Sequence, residues 1–426
     1  MSLPVETAKT YVQILKEELL AAMGCTEPIA IAYAASVLRT TLACEPTRIE
    51  AGLSGNIIKN VKSVIVPATG GQHGIEAAIA AGVVANRPDK RLEVLTTLRE
   101  EDVPKIAAFR ERCPITVSGL DTTCSFDLIL RGYGETGEAC VHIRNYHTNV
   151  ILVEKNGEDR TADYWEKNEG SKYIRSNRSL LNVKDIVTFA DEVDLSEVRE
   201  LLTSQLRMNL AIAEEGLSGK YGANIGKILY RGGEASLKDR ARAYAAAGSD
   251  ARMSGCELPV CILSGSGNQG ITASVPVAVY AKEMGASEDE MLRALLVSDL
   301  ITIHQKEEIG CLSAYCGAIS AGCAAGCGIT YLKGGRYYEI AHALVNSVAI
   351  LSGTVCDGAK ASCAAKIAMA VEAGIMGYEM MQAGSQFYGG DGIITKGVEN
   401  TLRNIGKLAR NGMGETDKEI IRIMLE

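Results

Sequence analysis

Aromatic residues are scarce in this 426-residue chain, which has one Trp and four Phe. A core built on large rings is therefore excluded, and the 44 Gly point instead to tight turns and close backbone contacts. No basic run is present and the net charge is −8, so nucleic acid and anionic membrane are poor partners. No signal peptide is evident: Met1-Ser2-Leu3-Pro4 leads at once into the charged amphipathic stretch Glu6 to Glu18. Disulfides are therefore not expected, and the 13 cysteines read as free thiols or metal ligands of a cytoplasmic protein. Internal repeats and low-complexity tracts are also lacking. The uncharged run Ile309 to Leu332 is long enough to span a bilayer, but Gly, Ala, Ser and Cys dominate it. Such small residues suit helices packed closely in a soluble core.

What is present is concentrated between His304 and Ala370. Six cysteines fall there: Cys311, Cys316, Cys323, Cys327, Cys356 and Cys363. They lie in or beside two uncharged runs, Ile309 to Leu332 and Ala343 to Cys356, which read as buried helices. Buried cysteines serve as small hydrophobes or as ligands of a metal or iron–sulfur site. In one continuous helix Cys356 and Cys363 would stand about 10.5 Å apart along the axis, too far for one compact cluster. Cys356–Asp357–Gly358–Ala359 reads as a helix break, with Gly358 for the turn and Asp357 as a cap. Cys356 would close one helix and Cys363 open the next, so the two thiolates could converge. A third ligand must come from the first run. Cys316, Cys323 and Cys327 share one helical face there, so periodicity cannot choose among them.

At these residues the sequence resembles a family. Glu308–Ile309–Gly310–Cys311 with Cys316, the turn Thr354–Val355–Cys356–Asp357–Gly358, and Cys363 are similar to the cluster-binding part of the L-cysteine desulfidases. These are relatives of the iron–sulfur L-serine dehydratase alpha chain. Gly24–Cys25–Thr26–Glu27–Pro28 and Ser264–Gly265–Ser266–Gly267–Asn268–Gln269–Gly270 fit the same family, and the likeness runs over most of the chain. The resemblance implies a [4Fe–4S] cluster on Cys316, Cys356 and Cys363, with Cys25 as a separate base. Serine dehydratases have a longer gap between their last two ligand cysteines, so the gap of seven here favours the desulfidase branch.

Along the chain, Glu6 to Met23 reads as an amphipathic helix stopped at Gly24, and Pro28 opens a second helix through Leu42. Cys25 then lies beside a helix N-terminus, where the dipole lowers a thiol pKa, unless it is simply a small buried residue. From Thr47 to Gly157 strands are expected at Arg48 to Leu53, Val61 to Pro67, Leu92 to Thr97, Ile115 to Leu120, Phe126 to Tyr133, Ala139 to Tyr146 and Thr148 to Glu154. The last three read as antiparallel neighbours. Helices at Gly74 to Ala85 and Glu101 to Arg112 interrupt them. His73, at the mouth of the first of these, is a candidate substrate contact or a loop histidine bonded to nearby backbone. Asn156 to Asn182 reads as a surface connector. Helices follow through Leu237 to Ala247, then a loop from Gly248 to Gly255. The expected fold is α+β: a mainly helical catalytic domain (1–45 and 183–426) with an inserted smaller α+β domain (46–182) carrying a mixed or antiparallel sheet.

Gly265–Ser266–Gly267–Asn268–Gln269–Gly270 formally matches a dinucleotide fingerprint, yet the helix after it leads into another helix rather than a parallel strand. Backbone N–H groups at a helix N-terminus also hold an anion such as an amino-acid carboxylate. Ser266, Gly267, Asn268 and Gln269 are thus candidate substrate contacts, with a simple packing turn as the alternative. The reaction expected is pyridoxal-phosphate-independent β-elimination of L-cysteine to sulfide, pyruvate and ammonia. A cluster held by three cysteines leaves one iron open as a Lewis acid, and Cys25 takes the α-proton. The alternatives are the same machinery acting on L-serine, or a non-enzymatic metal-binding or sensor protein. A homo-oligomer is expected, taking a small amino acid and neither nucleic acid nor membrane.

Overall fold

Small residues set the spacing of the longest helices. A computed structural model describes residues 2–167, 175–310 and 312–425; part of the expected connector and Cys311 lie outside the described residues. Helices α1 (Val5–Glu18), α2 (Thr26–Leu42), α3 (Gly55–Val61), α4 (Gly74–Ala85), α5 (Val103–Arg112) and α6 (Thr161–Lys167) accompany the N-terminal strands. Then come α7 (Val183–Glu192), α8 (Arg199–Ser218), α9 (Ile225–Tyr230), α10 (Leu237–Met253), α11 (Gly267–Met284) and α12 (Glu288–Ile309). The last five are α13 (Gly317–Leu332), α14 (Tyr337–Ile350), α15 (Cys363–Gln382), α16 (Val398–Lys407) and α17 (Gly414–Leu425). At the crossing of α13 and α15, a Cβ on Gly326 would lie 2.3 Å from Gly374 O, and one on Gly374 would lie 2.1 Å from Gly322 O. Only glycine permits backbones to meet so closely.

Two hydrophobic cores result. One joins α1, α7, α8 and α11 to α16. The other lies between the helices α2 and α4 and a six-stranded sheet of order β3-β2-β4-β5-β6-β7. Its strands are β2 (Arg48–Leu53), β3 (Ile115–Gly119), β4 (Asp127–Gly134), β5 (Gly137–Arg144), β6 (Val150–Lys155) and β7 (Glu158–Asp159). β2 and β3 pair in parallel and the other neighbours are antiparallel, so the sheet is mixed. The fold is α+β and mainly helical, as the sequence indicates. Among the described residues no helix is long and apolar enough to cross a membrane.

Several elements differ from expectation, each for a tertiary reason. The first helix stops at Glu18 because Leu20–Met23 (β1) pairs antiparallel with Pro259–Ile262 (β8). Leu92 to Thr97 is not a strand but tight helical turns that bury Leu92, Val94 and Leu95 in the sheet-side core. Val61 to Pro67 supplies only an isolated bridge, Ile65 to His73. Short apolar runs do not by themselves select strand over turn. The expected loop from Gly248 is helical, because α10 continues to Met253 with Gly248 packed against Ile271. The two uncharged runs are also helical over less than expected: the helix in the first starts at Gly317 rather than Ile309, and α14 ends at Ile350 rather than at Cys356.

Candidate active site

Extended backbone, rather than a helix end, holds two of the sequence-selected cysteines. Cys316 N–H donates to Thr354 O (3.2 Å) and Cys356 N–H to Ala314 O (2.6 Å), with a bridge between Tyr315 and Val355. Cys316 then caps the start of α13, and Cys363 is the first residue of α15. Between them Gly358 has φ +96°, and a Cβ there would lie 2.7 Å from Lys59 O. Asp357 is not a helix cap as expected: its carboxylate bonds Lys360 and Lys366 Nζ, the latter at 2.5 Å. Cys316, Cys356 and Cys363 line a single cavity of about 100 Å³.

Charge on these thiols is managed by neighbouring cations. A hydrogen bond from Cys316, then Lys59, the Gly358 N–H and Lys366 hold Cys356 well below the usual thiol range, at about 5. Cys316 is pushed up by giving that hydrogen bond and by burial. Cys363 is pushed up by burial, and its Sγ lies 3.7 Å from Gly358 O. Lys59 is fixed by Asp417 Oδ1 (2.5 Å) and reaches Cys356 O (3.3 Å). Among the described residues no three Cys, His, Asp or Glu side chains converge on the point of a single metal ion. Three thiols spread around a cavity, with two lysines beside them, fit a larger thiolate-bound group such as an iron–sulfur cluster.

Cys25 lines the same cavity from the opposite end of the sequence. It is the residue before α2, and Thr26 Oγ1 ties that turn to Gly265 O at 2.7 Å. The expected fall in its pKa does not occur. Burial, and then the Glu27 carboxylate, push the thiol well up, although Arg252 opposes them. Cys25 Sγ donates to Glu27 Oε2 at 3.1 Å, while Asn60 Nδ2 donates to Glu27 Oε1 at 2.9 Å. Burial acts to raise Glu27, but His147, the Cys25 bond and Arg252 outweigh it and hold the carboxylate below its ordinary range. A helix dipole is worth under about 1 kcal/mol at such a position, less than burial beside a fixed carboxylate.

The glycine-rich loop forms the remaining wall. Ser264 and Gly265 (φ +47° and +77°) make a two-residue turn in which Leu263 and Ser266 exchange backbone bonds of 3.1 Å. A serine in that left-handed region costs about 1 kcal/mol, which the paired backbone must hold. Ser266, Asn268 and Gln269 line the cavity, while Gly267 stands behind it against Arg252. His147 reaches in from the β5–β6 hairpin, packed on Phe126 with ring centroids 4.6 Å apart. Burial pushes His147 down, toward the neutral imidazole, against the pull of Glu27. Six buried polar atoms of the lining residues have no partner among the described residues: Asn60 Oδ1, His147 Nε2, Ser264 Oγ, Asn268 Oδ1, Gln269 Oε1 and the Tyr315 hydroxyl. Orphaned polar atoms are costly singly, so six facing one cavity mark a site for a polar ligand.

The structure thus brings together Cys25, Cys316, Cys356, Cys363, Ser266, Asn268 and Gln269, but not His73. His73 caps α4 and does not line the cavity, because its backbone is used in the bridge to Ile65. Sequence reasoning missed Glu27, Lys59, Asn60, His147 and Arg252 as lining residues. Glu27 was within reach, two residues from Cys25. The others sit on elements whose direction only tertiary pairing fixes. A second cavity, of about 290 Å³, shares His147, Ser264, Gly265 and Lys306 with the first.

Residues 89–422, more than half of the chain, match the family model described as serine dehydratase alpha chain. Over 419 residues the chain is 53% identical to a UPF0597 protein of Desulfitobacterium hafniense, covering 98% of this chain and 96% of that one. It is 44% identical to a UPF0597 protein of Treponema denticola over the full length of both. A UPF0597 protein of Aeromonas hydrophila is 36% identical, over 97% of this chain and 95% of that one.

Proposed function

Since the chain belongs to the serine dehydratase alpha-chain family, we propose that it is a lyase that eliminates the β-substituent of a small amino acid, with L-cysteine as the substrate. The observation carrying this is the meeting, in one cavity, of Cys25, three further cysteines, and polar atoms left without partners. Cys316, Cys356 and Cys363 would hold a [4Fe–4S] cluster. When bound, it supplies a Lewis-acidic iron to the departing sulfur.

The protein's own residues then do the following. Ser266, Asn268 and Gln269 orient the amino acid at the start of α11. Cys25 is protonated at rest, so it must lose that proton before it can act as a base. Glu27 Oε2, 3.1 Å from Cys25 Sγ, is the acceptor. The Cys25 thiolate takes the α-proton as the Cβ–S bond breaks and sulfide leaves. The resulting aminoacrylate tautomerises to an imine, which water hydrolyses to pyruvate and ammonia. His147, neutral and buried, is placed to donate or accept one proton through its unpartnered Nε2.

The family description favours L-serine, which differs only in its leaving group. The deciding experiment is anaerobic reconstitution with iron and sulfide, then assay of sulfide and pyruvate from L-cysteine and of pyruvate from L-serine. Equal sulfide and pyruvate from L-cysteine, lost in Cys25→Ala with the cluster retained, is the expected result. Pyruvate from serine alone would move the protein to the dehydratase branch. A reconstituted cluster with no product from either would defeat the lyase reading.

A further inference from the structure

Arg252 is, beside Lys306, a charged cavity residue that this mechanism has not used. It sits in the last turn of α10, only 3% exposed, and lines the cavity. Its one hydrogen bond among the described residues runs from Nε–H to Gly24 O, at 3.0 Å. The other cations differ: Lys59 is engaged by Asp417 and Cys356 O, and Lys366 by Asp357 and Val355 O. Glu27 is close enough to feel Arg252, but both of its oxygens are already bonded, to Asn60 and to Cys25 and Thr26. A buried guanidinium with both Nη groups uncommitted is expensive unless an anion completes it.

The surroundings define that anion. The guanidinium lies against the first residue of α11, where a Cβ on Gly267 would be 2.4 Å from Nε and 2.9 Å from Cζ. Helix N-terminal amides and a planar two-donor fork favour a small planar anion bound through two oxygens. Lysine could not present that fork. Arg252 also acts electrostatically on Cys25 and on Cys363, which line the same cavity.

We infer that Arg252 seats the α-carboxylate of the amino acid through Nη1 and Nη2, beside Ser266 and Asn268; this rests on the lyase reading above. Because Nε holds the carbonyl of Gly24, the residue before Cys25, one side chain fixes both the carboxylate and the turn that carries the base. The α-hydrogen is thereby presented to Cys25 in a set orientation. Amines lacking a carboxylate would bind without this anchor.

The test is calorimetric binding of two thiols to the reconstituted protein: 3-mercaptopropionate, which has a carboxylate but no amine, and cysteamine, which has the reverse. Arg252→Gln should weaken 3-mercaptopropionate about 100-fold, the scale of a lost charge-assisted pair, and change cysteamine by less than about threefold. Arg252→Lys, keeping the charge without the fork, should lose about tenfold on the first ligand only. Equal weakening of both ligands would mean that Arg252 merely supports the Gly24 turn, and would overturn the assignment. So would unchanged affinity for both, or no carboxylate-dependent binding by the wild type. Carboxylate-selective binding in a protein that makes no product from cysteine or serine would instead sink the lyase reading and leave this subsite standing.

Discussion

Cys323 and Cys327 lie within α13, while Cys316, Cys356 and Cys363 lie where helices start or the chain is extended, and only the second set contains a thiol, Cys356, that is held down. Both sets come from the same stretch of sequence. Mid-helix, the peptide N–H groups are engaged in the helix, and Cys327 Sγ meets a carbonyl, Ile340 O, at 3.9 Å. Cys323 and Cys327 are 0% exposed, and burial raises both, Cys323 to about 12. Where helices break, peptide N–H groups and lysines reach the sulfur, and Cys356 falls to about 5. Chemistry thus follows the interruptions of the helices rather than the density of cysteines. Cys25 shows the limit of the rule. It too stands at a helix start, but burial, and then Glu27 beside it, reverse the sign.

The sharpest way to break the contrast is Cys356→Ala. Iron uptake on reconstitution should fail, with activity falling about 1000-fold or more, since several kcal/mol of Lewis-acid stabilisation goes with the cluster. Visible absorbance and pyruvate formation check this, and Cys327→Ala should keep both.

Next in size is the α13–α15 crossing that keeps the mid-helix thiols inert. Gly374→Ala places a methyl on Gly322 O and should cost about 3 kcal/mol, near the top of the usual overpacking range. Urea unfolding measures the loss. Faster labelling of Cys323 by a thiol reagent in the folded protein should accompany it.

Asp299 extends the comparison to a carboxylate. It lies in the middle of α12, is 0% exposed, and among the described residues accepts only from Gln205 Nε2 at 3.0 Å; burial raises it to about 7. The folded state therefore holds a proton that an unfolded Asp, with a pKa near about 3.9, has released. The stability contributed by this proton is complete below the unfolded value and is lost as pH rises through about 7. At about 1.4 kcal/mol per unit over roughly three units, the loss is on the order of 4 kcal/mol. Asp299→Asn should therefore raise the melting temperature at pH 8 and leave it nearly unchanged at pH 4. Equal shifts at both pH values would contradict the protonated state.

The smallest effect is Cys323→Ala. Removing one buried sulfur should cost about 1 kcal/mol in unfolding free energy and leave cluster content unchanged.

Much of this was legible in the sequence, and unevenly so. Cys356–Asp357–Gly358 announced an interruption because a positive φ was needed there, and Gly358 has one at +96°. The helix Gly74–Ala85 and the strand Arg48–Leu53 stand where the patterns put them. His147 and Arg252 were not legible. Their roles depend on a hairpin folding over the glycine loop and on α10 passing through Gly248, where the sequence reads as a break. His73 misled because a histidine beside glycines looks the same whether it faces a cavity or caps a helix. Lys59 was hidden most deeply, since its partner Asp417 is 358 residues away.

That last separation has a consequence for biogenesis. Lys59 emerges from the ribosome long before Asp417, so during most of synthesis its ammonium lacks the carboxylate that fixes it. Cys25 waits similarly for Cys316, Cys356 and Cys363. Domains fold N-terminal first as chains elongate, yet Lys59 in this cavity is fixed only after α17 has been made and docked on α3. A truncation that removes Asp417 would therefore keep every residue of the cavity lining yet leave the Lys59 ammonium without the carboxylate that fixes it.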